Sequence, residues 1–257
     1  MSSHDTQKGP NSQDIFTVWK HPGETLAVLL ERFRQEHSLS SDSKLTYAGR
    51  LDPMAEGVVL ILAGDARFHK DTLLGADKTY ELTVLFGIQT DTADMLGMVT
   101  AIEIGKSLTT EVIEGAVKNL EKVTELPYPA YSSRPVDGVP LFVHAREGNA
   151  VELPIKEVKM NAVELLLIER TTLGRLIDET VPVIEQVAGD FRQEEIVKGW
   201  SRIKTTHGEK EITLVKIQVT ASSGTYMRAL AELLGSTLGV SALAYHIKRV
   251  RVGKYSI

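Results

Sequence analysis

The sequence predicts an α+β fold, a largely antiparallel mixed sheet flanked by helices. Three observations carry this reading. Runs rich in β-branched and aromatic residues stand at 79–86, 158–168, 212–220 and 242–252. Apolar residues recur at helical spacing in 26–33, 109–123 and 226–238. The two kinds of segment follow one another irregularly, without the strict βαβ alternation of a parallel sheet.

Residues 1–14 are polar, with Gly9 and Pro10 among them, and have almost nothing to bury. They are expected to form a disordered tail ahead of one domain spanning 15–257. Lys20-His-Pro-Gly23 is a turn signal, after which Thr25 can cap a helix with Leu26, Leu29, Leu30 and Phe33 on one face. Residues 38–44 read as loop. Val58–Leu62 is a short apolar strand or buried segment between Gly57 and Gly64. Thr79–Phe86 alternates partially, as a strand does. A helix runs from Thr109 or Thr110 through Val123 and buries Val112, Ile113, Ala116, Val117 and Leu120.

Prolines 127, 129, 135 and 140 make 127–140 an extended loop. Val158–Ile168 and Ile212–Thr220 are strands. The stretch between them, 169–210, far exceeds a hairpin loop of roughly 2–5 residues. It carries helical patterns of its own (Val183, Ile184, Val187; then Ile196, Val197, Trp200) and is read as a helical insertion. Tyr226–Leu238 is a helix, and Ala242–Val252 is a last strand bearing basic residues.

Composition excludes several classes of function. With no cysteine there is no disulfide framework, thiolate metal site or cysteine nucleophile. No apolar run approaches the roughly 18 residues of a membrane span, and the N-terminus has no signal-peptide core. The expectation is a cytoplasmic protein. Net charge −5 opposes nucleic acid as a partner on average. Binding depends on local patches, however, and Lys248, Arg249, Arg251 and Lys254 cluster near the C-terminus, while Lys44 and Arg50 lie close to the most distinctive segment.

That segment is Tyr47-Ala-Gly-Arg-Leu-Asp-Pro-Met-Ala-Glu-Gly57, in which Asp52-Pro53 sits on a constrained loop before an apolar run. A second is Asp77-Lys-Thr-Tyr80, where a tyrosine at a strand start offers a ring for stacking and a hydroxyl for proton exchange. The acidic loop that follows, with Asp91 and Asp94, lacks the spacing of an EF-hand, so no metal is expected there. A third is Ala221-Ser-Ser-Gly-Thr-Tyr-Met-Arg228, a small-residue turn entering a helix, with Arg228 placed to return towards the same region. Taken singly, each also fits ordinary structure: an Asx turn, a core tyrosine, a capped helix with a surface arginine.

Together and in this order the segments resemble the TruB family of tRNA pseudouridine synthases, whose G-x-L-D-P-x-A-x-G-V, D-K-x-Y and S-x-G-T-Y-x-R motifs match Gly49–Val58, Asp77–Tyr80 and Ser222–Arg228. Lys20-x-x-Gly23, Gly87-x-x-Thr90-Asp-Thr92, Tyr131-Ser132 with Gly138, Phe142 and Ala145-Arg146, and Ile247–Val250 with Gly253 extend the likeness over 18–168 and 211–257. The resemblance implies a pseudouridine-synthase fold and isomerisation of a uridine in the tRNA T-loop, at position 55, with no cofactor. The expected partner is the T-arm of tRNA, and the chain is expected to be a monomer. Asp52 would be the catalytic carboxylate, Tyr80 the stacking and proton-moving residue, and Arg228 the partner of Asp52. Lys20, Tyr47, Gly49, Arg50, Arg134, Arg146, Tyr226, Lys248 and Arg249 would hold the RNA.

Three departures stand out. Tyr47-Ala48 replaces the family's usual His-Thr, Pro135 falls where a lysine is expected beside Arg134, and no PUA module is expected after the core. They leave open another T-loop-like RNA as substrate, or a tRNA-binding and folding role without catalysis.

Overall fold

The structure is a computed structural model, and it describes residues 15–257. The tail expected at 1–14 lies outside the described residues. The chain opens with β1 (Ile15–Lys20) and α1 (Leu26–Glu36), then β2 (Leu45–Ala48) and β3 (Glu56–Ala63). A 3-10 turn leads to the short α2 (Lys70–Leu74) and to β4 (Lys78–Phe86), followed by β5 (Ile88–Thr90) and β6 (Val99–Ile102). Next come α3 (Thr110–Asn119), β7 (Glu125–Pro127), β8 (Pro135–Val136), β9 (Val139–Pro140), α4 (Leu141–Glu147) and β10 (Ile155–Glu157). The last part is β11 (Met160–Thr172), α5 (Leu173–Gln186), α6 (Gln193–His207), β12 (Glu211–Ala221), α7 (Met227–Leu238), β13 (Ala242–Val252) and β14 (Tyr255–Ser256).

Eight strands form one sheet in the order β1-β3-β13-β4-β12-β11, with β2 on β3 and β14 on β13. Every neighbouring pair in it is antiparallel except β3 and β13, which run parallel. The largely antiparallel mixed sheet read from the sequence is therefore what the chain forms. Period-2 alternation along β4 sends Tyr80, Leu82, Val84 and Phe86 to the face covered by α1, α3 and α7. Leu85 points the other way, with Leu214 and Leu243, and is covered by α5 and α6.

Local chemistry explains the helix starts. Thr25 accepts a hydrogen bond from the Val28 N–H and Thr109 from the Val112 N–H, each supplying one of the acceptors a first turn lacks. The structure differs from the sequence reading at several points: α3 ends at Asn119 rather than Val123, and Val112, expected on its buried face, is exposed. β11 continues to Thr172 because its register with β12 runs on to Thr172 opposite Glu211. The predicted loop 127–140 contains a β8–β9 hairpin, turned by Asp137 and Gly138, both at positive φ as such tight turns require. Between β11 and β12 stand α5 and α6, and no helix among the described residues is long and apolar enough to cross a membrane.

Candidate active site

Asp52 sits on the connection between β2 and β3, in a turn closed by the Ala55 N–H donating to the Asp52 carbonyl at 3.0 Å. Two buried cations hold this loop from behind. The Lys20 ammonium, fully buried at the end of β1, donates to the carbonyls of Ala55 (2.6 Å), Pro53 (3.0 Å) and His21 (3.1 Å). Burial lowers its pKa to about 8, against the opposing pull of Glu24 and Asp52. Arg249, 1% exposed, donates to Val58 (2.8 Å), Arg50 (2.9 Å) and Gly49 (3.1 Å) carbonyls.

Gly57 makes this arrangement possible. Its φ is +122°, and a Cβ there would stand 2.2 Å from the Arg249 carbonyl oxygen, so only glycine admits the parallel approach of β13 to β3. Arg249→Met should take the arginine donors from one buried carbonyl, Val58, and two partly buried ones, Arg50 and Gly49. The expected cost is roughly 3 kcal/mol of unfolding free energy in urea denaturation.

From the opposite side of the cleft Arg228, in the first turn of α7 and 4% exposed, donates through Nε to Asp52 Oδ2 at 2.9 Å. Its other nitrogens donate to the carbonyls of Thr92 (2.8 Å) and Tyr131 (3.1 Å). The guanidinium is thus oriented by two backbone oxygens and presented edge-on to the carboxylate. A second carboxylate, Asp94, stands 3.8 Å from Arg228 Nε and accepts from the Thr92 hydroxyl and the Leu96 N–H. Burial pushes its pKa up to about 6, Arg228 and these hydrogen bonds pull it down, and Asp52 adds to the rise.

Between pH ~4 and ~6 the folded chain keeps a proton on Asp94 that the unfolded chain has released, so stability falls as pH rises through that window. At about 1.4 kcal/mol per pKa unit the swing is roughly 3 kcal/mol. Asp94→Asn should flatten the stability–pH curve between pH 4 and 6 in denaturant titrations.

The cleft around these groups has a volume of about 760 Å³. Of the residues expected from sequence, Asp52, Tyr80, Arg228, Tyr47, Gly49, Arg50, Arg146, Tyr226 and Arg249 line it. Tyr80 lies at the start of β4, nearly buried. Tyr226 packs edge-on to Tyr128 at 5.5 Å, and burial followed by the charge of Asp52 raises its pKa. Arg50 donates to the Ser133 hydroxyl at 2.9 Å, and Arg146 to the Asp190 carbonyl at 2.6 Å. Arg134 stacks over Tyr128 at 5.3 Å.

The structure corrects three expectations of direct RNA contact. Lys20 is sealed beneath the Asp52 loop, and Arg249 spends its donors on the loop backbone, so both act as supports. Lys248, one residue along β13 from Arg249, faces away from the cleft and stands over the Trp19 ring at 5.7 Å.

Among the cleft residues that the sequence reading did not assign to the site, four carry weight. Lys78, buried within the D-K-x-Y motif with its pKa lowered to about 8 by burial, ties the start of β4 to Ser223 in the turn before α7. Ser132 keeps a buried hydroxyl in the cleft wall with no hydrogen-bond partner among the described residues. Phe191 and Arg192, from the α5–α6 connection, complete the wall. The motifs pointed at Lys78 and Ser132, but nothing in the sequence pointed at 191–192. Among the described residues no group of three or more His, Asp or Glu side chains is placed to share a metal ion.

A family model described as "TruB family pseudouridylate synthase (N terminal domain)" matches residues 37–180, more than half of the chain. The chain belongs to the TruB family. It is similar to tRNA pseudouridine synthase B of Aromatoleum aromaticum, 31% identical over 219 residues that make up 85% of this chain and 57% of that protein. It is also similar to the protein of that name from Ralstonia nicotianae, 30% identical over 215 residues, 83% of this chain and 56% of the relative. The chain spans a little over half the length of these relatives.

Among solved structures it resembles a chain of a Cbf5-Nop10-Gar1 complex, with a TM-score of 0.55 at 19% identity, covering 94% of this chain and 49% of that one. A chain of an H/ACA RNP bound to a substrate RNA containing 2'-deoxyuridine gives 0.52 at 16% identity, covering 94% and 48%. These likenesses bear out the fold class. The matched span holds the first two TruB motifs, and the fold brings the third, Ser222–Arg228, to the same cleft from beyond it.

Proposed function

We propose that the chain isomerises uridine to pseudouridine in the T-loop of tRNA, at position 55, with Asp52 as the catalytic carboxylate. The observation that supports this most is the Asp52–Arg228 pair, a partly exposed carboxylate held at 2.9 Å by a buried guanidinium at the base of an open cleft. In this reading Asp52 attacks or stabilises C1′ of a flipped-out uridine as the N1–C1′ bond breaks and the bond's electron pair leaves with the uracil. The base turns within the site, C5 bonds to C1′ as any Asp52–C1′ bond returns its electron pair to the carboxylate, C5 loses its proton and N1 gains one. Atoms and charge balance with no external reactant.

Tyr80 stacks on the base and moves a proton from the sugar, which returns to the sugar once C5 and C1′ are joined. The target leaves its stack at a cost of roughly a few kcal/mol, which a preformed T-loop shape reduces. Arg50, Arg134 and Arg146, on and near the cleft rim, supply phosphate contacts, a local basic surface on a chain of net charge −5.

The deciding experiment incubates the protein with an unmodified tRNA transcript and maps pseudouridine along the RNA, with Asp52→Asn in parallel. A new pseudouridine at position 55 in the wild type alone supports the reading. Binding without conversion would sink it for tRNA. Because Tyr47 stands in the cleft where the family usually has histidine, the same assay includes other hairpins of T-loop shape.

A further inference from the structure

The α5–α6 hairpin is remote from the three motifs in sequence, yet it grips the loop that holds Arg228. The Trp200 indole N–H, fully buried on α6, donates to the Met95 carbonyl at 3.0 Å. At the start of α6 the Arg192 guanidinium donates to Asp91 Oδ2 at 2.6 Å and stacks on the Tyr131 ring with its carbon 4.7 Å from the centroid. Arg192 itself is held at a left-handed φ of 62°, a backbone state that costs a non-glycine residue free energy unless its surroundings impose it.

These contacts converge on one point. The two carbonyls that orient Arg228 belong to Thr92, next to Asp91, and to Tyr131 itself. Arg192 therefore ties together, through the Asp91 carboxylate and the Tyr131 ring, the same two segments whose carbonyls Arg228 bridges.

We propose that Arg192 is a positioning residue for the Arg228–Asp52 pair, making the α5–α6 hairpin a brace of the active site. Its salt bridge is only partly exposed, with about a quarter of each side chain accessible, so it resists screening better than a surface pair. Small displacements of a reacting group cost up to about 100-fold in rate, so losing this brace should act on turnover and not on RNA affinity. The kinetic half of the proposal rests on the pseudouridine-synthase reading; the spectroscopic half does not.

The test compares wild type with Arg192→Ala, Arg192→Lys and, as a hairpin control, Lys204→Ala, which removes the 2.5 Å Lys204–Asp178 pair between α5 and α6 away from the cleft. The first readout needs no substrate: the NMR signal of the Arg228 Nε–H, identified by its loss in Arg228→Lys. In Arg192→Ala that signal should shift and exchange faster with water, Arg192→Lys should recover it in part, and Lys204→Ala should leave it in place. The second readout is single-turnover conversion of tRNA together with Kd. Arg192→Ala should slow conversion about tenfold at saturating RNA with Kd within a factor of about two.

An Arg228 signal unchanged in Arg192→Ala overturns the proposal, whatever the activity. So does a change equally large in Lys204→Ala, which would make the effect one of hairpin stability. A weakened Kd with a reduced salt slope and normal turnover would also overturn it, by making Arg192 a phosphate contact. A wild type that makes no pseudouridine defeats the functional reading and leaves the spectroscopic result to decide the brace by itself.

Discussion

Asp52→Asn should reduce pseudouridine formation on tRNA by roughly 1,000-fold or more while tRNA affinity stays within about threefold. The structure separates the two effects. Asparagine keeps an oxygen at the position of Oδ2, so the Arg228 Nε–H at 2.9 Å retains an acceptor, and Asp94 at 3.8 Å still faces the buried guanidinium. The loop itself is held by Lys20 and Arg249 through backbone carbonyls, which the substitution does not touch. What the variant loses is the negative charge able to attack or stabilise C1′. Single-turnover kinetics with filter binding checks this, and a thermal midpoint close to wild type confirms that the fold survives. Residual conversion near the wild-type rate would remove Asp52 from the mechanism.

Arg228→Ala should be costly in two ways. It strands Asp94 and Asp52 without their cation and leaves the Thr92 and Tyr131 carbonyls without donors, in a site where the arginine is 4% exposed. Removing one partner of a buried ionic network costs about 3–5 kcal/mol, which for a chain of this length lowers the thermal midpoint by roughly 10 °C. Asp94, deprived of the charge that now pulls its pKa down, should titrate higher.

Arg228→Lys distinguishes stability from chemistry. A single ammonium keeps the charge but cannot satisfy Asp52, Thr92 and Tyr131 in one plane, so it should recover part of the stability and little of the activity. Thermal unfolding beside tRNA turnover for both variants is the measurement. Full activity in Arg228→Ala would end the pairing role.

Much of the fold was legible because its signals are local. Thr25 and Thr109 announce helices through their own hydroxyls, and β13 was read at its full extent from Ala242 to Val252. The end of β11 was not legible, since Glu169–Thr172 is polar and is a strand only because β12 runs beside it. The site divides the same way. Asp52, Tyr80 and Arg228 lie in motifs dense enough to be found, whereas Arg192 lies in a segment without a motif and reaches the cleft only because α5 and α6 fold back onto Leu85, Met95 and Leu214.

Lys248 and Arg249 show where the boundary falls. By itself the sequence placed both on a strand, and both were expected to hold the RNA, although a period of two turns neighbours on a strand to opposite faces. It could not say which side holds the cleft, because that depends on what covers each face of the finished sheet. The tertiary structure decided that Arg249 turns inward to hold the Asp52 loop while Lys248 turns to Trp19. Lys20 follows the same rule: the sequence placed a lysine at a turn, and only the packing of β1 against β3 made it a buried support. Residue type and periodicity are properties of a segment, but burial belongs to whatever the rest of the chain brings against it.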